Sequence, residues 1–345
     1  MRIDGKTIDR NHPPYVIAEL SGNHNGQIER AFRLIDAARE AGADAVKLQT
    51  YTADTITIDH DGPGFTIEGG LWNGRRLHEL YQEAHTPWDW HPKLFEYAEK
   101  AGISCFSSPF DSTAVDFLER LGAPAYKIAS FELVDTPLIA HAARTGKPLI
   151  MSTGMATDEE IEDAVSAARE AGARDIALLH CVSGYPTPAA EANLARIPRF
   201  AALYDCPIGL SDHTLGIEAA VASVALGATI VEKHFTFARS DGGPDAAFSL
   251  EPNELASLVR GVRTAHAAIG EAEYGHAASE QPNMKFRRSL YVVKDIGAGE
   301  VLTSQNVRSI RPGYGLAPKH LVDVLGRRAR HPIARGTPMS FDLLE

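Results

Sequence analysis

Cysteine is nearly absent: the 345 residues include only Cys105, Cys181 and Cys206. Three thiols at irregular spacing make neither a disulfide framework nor a zinc pattern. Cys105 and Cys181 fall in apolar strand-like runs, where a thiol serves as a small buried hydrophobe. Long hydrophobic runs are also missing. The most apolar stretch, AAVASVALGATIV, is too short to cross a bilayer as a helix. The opening MRIDGKTIDRNHPP is too polar for a signal peptide. Together these absences predict a cytoplasmic protein with no membrane partner. Positive charge is in deficit: 34 Lys and Arg against 45 Asp and Glu leave a net charge of −11. That argues against nucleic acid, whose phosphates need a basic face. A small anionic substrate remains open, since a few local lysines can hold one phosphate. No Gly-x-Gly-x-x-Gly follows the first strand, so a dinucleotide site finds no support.

What is present is a repeated alternation. The strand-like runs are YVIAEL, AVKLQT, SCFSSP, AYKIAS, PLIMST, DIALLHC, PIGLSDH and TIVEKHFT, separated by amphipathic helical stretches. Short strands alternating with helices imply a parallel sheet with right-handed crossovers. Eight units fit a closed (β/α)8 TIM barrel, an α/β fold, over residues 1–270. Helices that end at Gly just before a strand recur, as in AREAGADAVKLQT, because glycine suits the left-handed helix C-cap. One connection is unusually long: roughly forty residues, rich in aromatics, follow Thr50, and a segment of that length suggests an ordered lid. Residues 271–285 read as a linker. Residues 286–345 form a small, strand-and-turn unit too short to be robust alone.

The polar residues cluster where a parallel barrel does its chemistry, at the strands' C-terminal ends. His213 in IGLSDHT and His234 in IVEKHFT end two successive strands. A neutral imidazole is a common ligand for a divalent metal. Either histidine alone reads as a buried structural residue; their matched placement, beside Ser211, Asp212 and Glu232, favours a shared metal. Side chains at i and i+2 on a strand point the same way, which pairs Lys47 with Gln49 and Glu232 with His234. Lysine is seldom buried unless paired. Lys47 and Lys127 therefore either grip a phosphate or carboxylate, or pair with Glu19 or Glu132. Ser108, Ser130, Ser152 and Ser211 add hydroxyl donors. Such a mouth suits a phosphorylated substrate and a carbonyl polarised by a metal.

AELSGNHNG, GADAVKLQTY, YKIASFE, STGM, HCVSGYP, GLSDHT, EKHFT and GPDAAFSLEP occur in order, followed by RRSLYVVKDIGAGE and RPGYG. In these motifs the chain resembles the sialic acid synthase family, which condenses phosphoenolpyruvate with an amino sugar to make nonulosonic acids. AELSGNHNG, the EGGLWNGRRLHELYQEAHTPW lid and RSDGGPDAAFSLEP look most like the pseudaminic branch, whose acceptor is 2,4-diacetamido-2,4,6-trideoxy-L-altrose. The resemblance implies a barrel followed by an antifreeze-like (SAF, β-clip) domain. It also implies a homodimer in which that domain covers the partner's barrel mouth. It assigns His213 and His234 to a metal, manganese or magnesium, with cobalt a further candidate. Lys47, Ser108, Lys127 and Ser130 match phosphate positions. Ser152, Ser183 and Ser211 match positions around the phosphoenolpyruvate carboxylate; the N-acetylneuraminate branch has Asn at Ser183. Gln49, Tyr185, Asp245 and Arg311 match the acceptor sugar, with Glu132 beside them. Glu19 and Glu132 are the candidate catalytic carboxylates. The rival readings are an N-acetylneuraminate or legionaminic acid synthase, a metal-dependent aldolase using pyruvate, and a non-enzymatic carbohydrate-binding protein.

Overall fold

A computed structural model describes residues 1–273 and 275–345. Tyr274, inside the stretch that reads as a linker, lies outside the described residues. The chain divides into two units, Met1–Gly270 and Glu271–Glu345. In the first, eight parallel strands close into a barrel in chain order. They are β1 Tyr15–Glu19, β2 Ala45–Thr50, β3 Ser104–Pro109, β4 Tyr126–Ile128, β5 Leu149–Ser152, β6 Ile176–Cys181, β7 Ile208–Asp212 and β8 Ile230–His234. Closure pairs β8 with β1, in a register that sets Ile230 beside Tyr15 and His234 beside Glu19.

The helices pack outside this wall through one apolar stripe each. In α1, Ile28–Ala41, the buried Ala31, Leu34, Ile35 and Ala38 repeat at helical spacing. Gly42 ends that helix at φ 87°, and its N–H reaches the carbonyls of Ala38 and Arg39. A side chain would strain there, and the reversal lets β2 begin three residues later. Between β2 and the next outer helix lies the long connection. It folds into α2, Ala53–Ile56, a bridge pairing Thr66 with Arg76, and α3, Leu77–Ala84.

Alternation sorts the barrel's interior by height. Near the strands' N-terminal ends, Ile17, Phe106, Ile150, Leu179 and Ile230 form one apolar cluster. Gly209 makes room in it, since a Cβ there would lie 2.6 Å from Leu179 Cδ2 and 2.5 Å from the Ile230 carbonyl. A short hairpin, Arg2–Ile3 paired with Lys6–Thr7, supplies Ile3, and Ile8 follows it; both are buried in the same cluster. Each such side chain stabilises the fold by ~1.5–3 kcal/mol. One step up, the inward residues become Glu19, Lys47, Ser108, Lys127, Ser211 and Glu232, all buried. Buried ionic groups add little net stability, so folding alone does not explain that layer.

In the second unit β9, Ser289–Val292, pairs antiparallel with β10, Val307–Ile310. Leu290, Val292, Ile296, Leu302 and Ile333 form its core. Ala278–Phe286, which runs through the second half of the stretch that reads as a linker and one residue past it, winds as a 3-10 helix. Its Lys285 carbonyl accepts the Gly313 N–H at 2.9 Å. Among the described residues no helix is long and apolar enough to cross a membrane.

Candidate active site at the barrel mouth

Two buried cations and two buried carboxylates occupy the upper interior. Lys47 of β2 is ion-paired with Glu19 of β1 and donates to Ser108 Oγ at 3.1 Å. Lys127 of β4 donates to Ser152 Oγ at 2.6 Å and to the Ile128 carbonyl at 3.3 Å. Glu232 of β8 stands between the ammonium groups, with Oε1 3.9 Å from Lys47 Nζ and 3.7 Å from Lys127 Nζ. The same oxygen accepts the Ser211 hydroxyl at 3.1 Å. Burial opposes charge on all four. For Glu232 the two lysines outweigh burial and hold the carboxyl below its usual range. For Lys47 burial is outweighed by Glu19 and Glu232, and the ammonium is favoured. Burial wins at Lys127, whose pKa falls. It also wins at Glu19, which is pushed up despite Lys47. The layer is balanced in charge and dense in donors, so an entering polyanion would meet buried cations and hydroxyls already in place. Ser130 and Ser183 close on Gly154: a Cβ there would lie 2.7 Å and 2.2 Å from their hydroxyl oxygens. The Gly154 N–H donates to Ser130 Oγ at 3.1 Å. The Ser183 hydroxyl is buried without a partner among the described residues.

The imidazoles of His213 and His234 lie with ring centroids 5.3 Å apart. His213 Nδ1 is 3.0 Å from the Val182 carbonyl. A carbonyl can only accept, so Nδ1 carries a proton. Burial disfavours charge on the ring, but Cys181 and that carbonyl outweigh it and raise the pKa of His213. Burial, and then the charge His213 would carry, push His234 well below its usual pKa, so it is neutral near pH 7. Its Nδ1 is buried without a hydrogen-bond partner and lies 3.7 Å from Asp245 Oδ2. Asp245 in turn accepts the Ser21 hydroxyl. Among the described residues no group of three or more His, Cys, Asp or Glu side chains forms a ready ion cage. Two adjacent imidazoles, one with an orphaned nitrogen, fit an open site in which substrate and water complete the coordination of a divalent ion, His213 giving up its second proton on binding.

Beside the histidines opens a cavity of ≈ 500 Å³. Gln49, Glu132, Tyr185, His234 and Asp245 line one part of it. Tyr185 packs its ring 4.4 Å from His213 and 5.3 Å from Phe248. Glu132 ends a 3-10 turn that starts at Ser130. Its Oε2 is buried and unpartnered, and burial pushes the carboxyl up to about 7. The long connection supplies another part of the lining. Trp72 donates its indole N–H to the Pro244 carbonyl at 2.8 Å and lies 5.5 Å from the Tyr185 ring. Arg311 belongs to the second unit, where it is exposed.

Residues 34–274 match the NeuB family, and residues 287–345 match the SAF domain. The chain belongs to the NeuB family. Its fold is thus the (β/α)8 barrel followed by an SAF domain. Pseudaminic acid synthase from Helicobacter pylori is 44% identical over 96% of this chain and 98% of its own. The enzyme of the same name from Campylobacter jejuni serotype O:23/36 is also 44% identical, over 93% of this chain and 94% of its own. Among solved structures, N-acetylneuraminic acid synthetase from Leptospira borgpetersenii is 34% identical. It covers 82% of this chain and 94% of its own, with a TM-score of 0.74.

Two groups in this NeuB-family mouth escaped assignment from sequence. Glu232 was visible only as a polar neighbour of His234; its place between both lysines follows from β8 standing across the barrel from β4. The i, i+2 spacing with His234 was the available signal. Lys233, next in the chain, points to the other side of the wall and donates to Asp212 Oδ2 at 2.9 Å. It also donates to the carbonyls of Thr214 at 2.6 Å and Gly216 at 2.8 Å. That buried clamp ties together the two strand ends that carry His213 and His234. Nothing in the sequence distinguishes Lys233 from a surface lysine.

Proposed function

We infer that this chain condenses phosphoenolpyruvate with 2,4-diacetamido-2,4,6-trideoxy-L-altrose to give pseudaminic acid and phosphate. The observation that carries this reading is one barrel mouth holding two buried lysines among serine hydroxyls beside a pair of converging imidazoles. The acceptor follows from relatives of that name being 44% identical, against 34% for the neuraminic acid enzyme. Lys47, Lys127, Ser108 and Ser130 hold the phosphate. Ser152, Ser183 and Ser211 hold the carboxylate of the enol ester and turn its C3 toward the acceptor. Gln49, Tyr185 and Asp245 orient the open-chain sugar so that its aldehyde carbon faces C3. His213 and His234 would hold a divalent metal, manganese or magnesium. When bound, that ion supplies Lewis acidity at the aldehyde oxygen. Holding both reactants in this geometry lowers much of the barrel's remaining task to proton handling. C3 bonds to the aldehyde carbon, whose oxygen becomes an alkoxide while C2 becomes electron-poor. Glu132 or Glu19 takes a proton from the water that then adds at C2, and the alkoxide takes up a proton to give the new hydroxyl. Phosphate then leaves with the former bridging oxygen as the C–O bond breaks. We read the enzyme as a homodimer in which Arg311 reaches the partner's acceptor site.

The test is direct. Purified protein with a divalent metal is given phosphoenolpyruvate and, in turn, the diacetamido-trideoxy, legionaminic-type and N-acetylmannosamine acceptors. The diacetamido-altrose should release phosphate fastest, and label in the bridging oxygen should appear in that phosphate. Faster release with another sugar would move the chain to another branch. Label retained in the sugar acid would rule out the C–O route.

A further inference from the structure

The cavity beside the histidines has two unlike faces. Strand ends and their loops bring Gln49, Glu132, Tyr185, His234 and Asp245, all able to hydrogen-bond. The lid that follows β2 brings Ile56, Ile67, Trp72, Leu77 and Leu80, with the phenol of Tyr81 beside them. Trp72 adds no donor to that face, because its only N–H is engaged by the Pro244 carbonyl at 2.8 Å. The same bond fixes the lid against the loop that carries Asp245, so the distance between the faces is set within the fold. The lid is itself braced: Leu77 N–H bonds the Phe65 carbonyl at 2.9 Å and Ile67 N–H the Arg75 carbonyl at 2.8 Å. Leu80 is buried, while Ile56, Ile67 and Leu77 are half-buried, with side chains available to a ligand.

A sugar lying between these faces can satisfy its hydroxyls on one side only. A hydroxyl turned to Ile67 and Leu77, away from the Tyr81 phenol, would lose water and find no partner. A methyl turned there would gain apolar contact. We propose that the lid face is a methyl-binding subsite, which selects an acceptor bearing C-methyl or acetamido methyl groups over one bearing hydroxyls at those positions. Leu77 and Ile67 are its specificity-determining residues, and Trp72 is the positioning residue. The proposal rests on the function given above and deepens it by assigning acceptor choice to the lid. Discrimination by an apolar pocket against an added hydroxyl reaches about 10²-fold, and one methylene is worth about 10–200-fold.

Binding separates the two ideas, because it can be read without turnover. Calorimetric titration of the full chain with 2,4-diacetamido-2,4,6-trideoxy-L-altrose and with N-acetylmannosamine gives a preference ratio. That ratio is expected to be about tenfold or more for the unaltered protein. Leu77→Asn, with the same branching and number of side-chain heavy atoms, and Ile67→Thr should each reduce it severalfold, while Ile67→Val keeps it. Thermal melts should be unchanged, which separates lost selectivity from lost folding. An unaltered ratio in both polar variants, or a ratio near one in the original protein, would overturn the methyl subsite. Absence of phosphate release with every sugar would overturn the synthase reading, and the binding ratio would still judge the lid.

Discussion

Among single residues, Glu132 offers the sharpest test of chemistry. Burial raises its pKa to about 7, so it is protonated in acid and becomes a base as pH climbs through that value. If it accepts the proton of the attacking water, kcat/KM should rise with pH through about 7 and level off above it. Glu132→Gln should abolish that acid limb and slow turnover by about 10²–10⁴-fold, the usual contribution of a positioned base. An acid limb that persists in the variant would transfer the role to Glu19, whose carboxyl is raised as well. The pair differ in surroundings: Glu19 is locked to Lys47, whereas one oxygen of Glu132 has no partner among the described residues. An unpartnered buried acceptor is the better placed of the two to take a proton from water.

Among elements, the question is what holds β7 and β8 in the register that brings the imidazoles together. Ladder bonds pair Val231 with Leu210 and Lys233 with Asp212, and the Lys233 clamp locks the loop beyond. Lys233→Met would leave Asp212 and two carbonyls buried without their cation. Breaking such a pair costs about 3–5 kcal/mol, which should lower the thermal midpoint by on the order of 10 °C. An unchanged melt would mean that the ladder alone sets the register. The strands themselves were legible because short apolar runs alternate with amphipathic helices, several of them closed by glycine, as at Gly42 and Gly102. The site's inward polar residues were legible because period-two alternation exposes them wherever a strand ends. The lid's α2 and α3 were not, since Ala53–Ile56 is a single turn and Leu77–Ala84 follows a Gly-rich stretch with no periodic lead-in. The N-terminal hairpin was also invisible: strands of two residues carry no period, and only the fold reveals that Ile3 and Ile8 fill the barrel's lower end.

For the whole molecule, the proposal to test is that Arg311 of the SAF domain serves a barrel. Arg311 is exposed in its own unit, and the resemblance carried by RPGYG implies a role at the acceptor sugar. If it acts on a partner subunit, catalysis is shared between chains, and two inactive variants can repair one another. Arg311→Ala keeps a sound barrel and loses the arginine; Glu132→Gln keeps the arginine and loses the base. In a mixed dimer, the barrel of the first chain would meet the arginine of the second, restoring one site of two. Random exchange in a twofold dimer makes half the assemblies mixed, so activity should recover to about a quarter of the original rate. Recovery must require unfolding and refolding together, or any treatment that exchanges subunits; simple addition of one stable dimer to another should do less. An arginine acting on its own barrel predicts no recovery at any ratio, because no mixed assembly would then contain a complete site. The mixing curve therefore separates the two arrangements without a structure of the assembly.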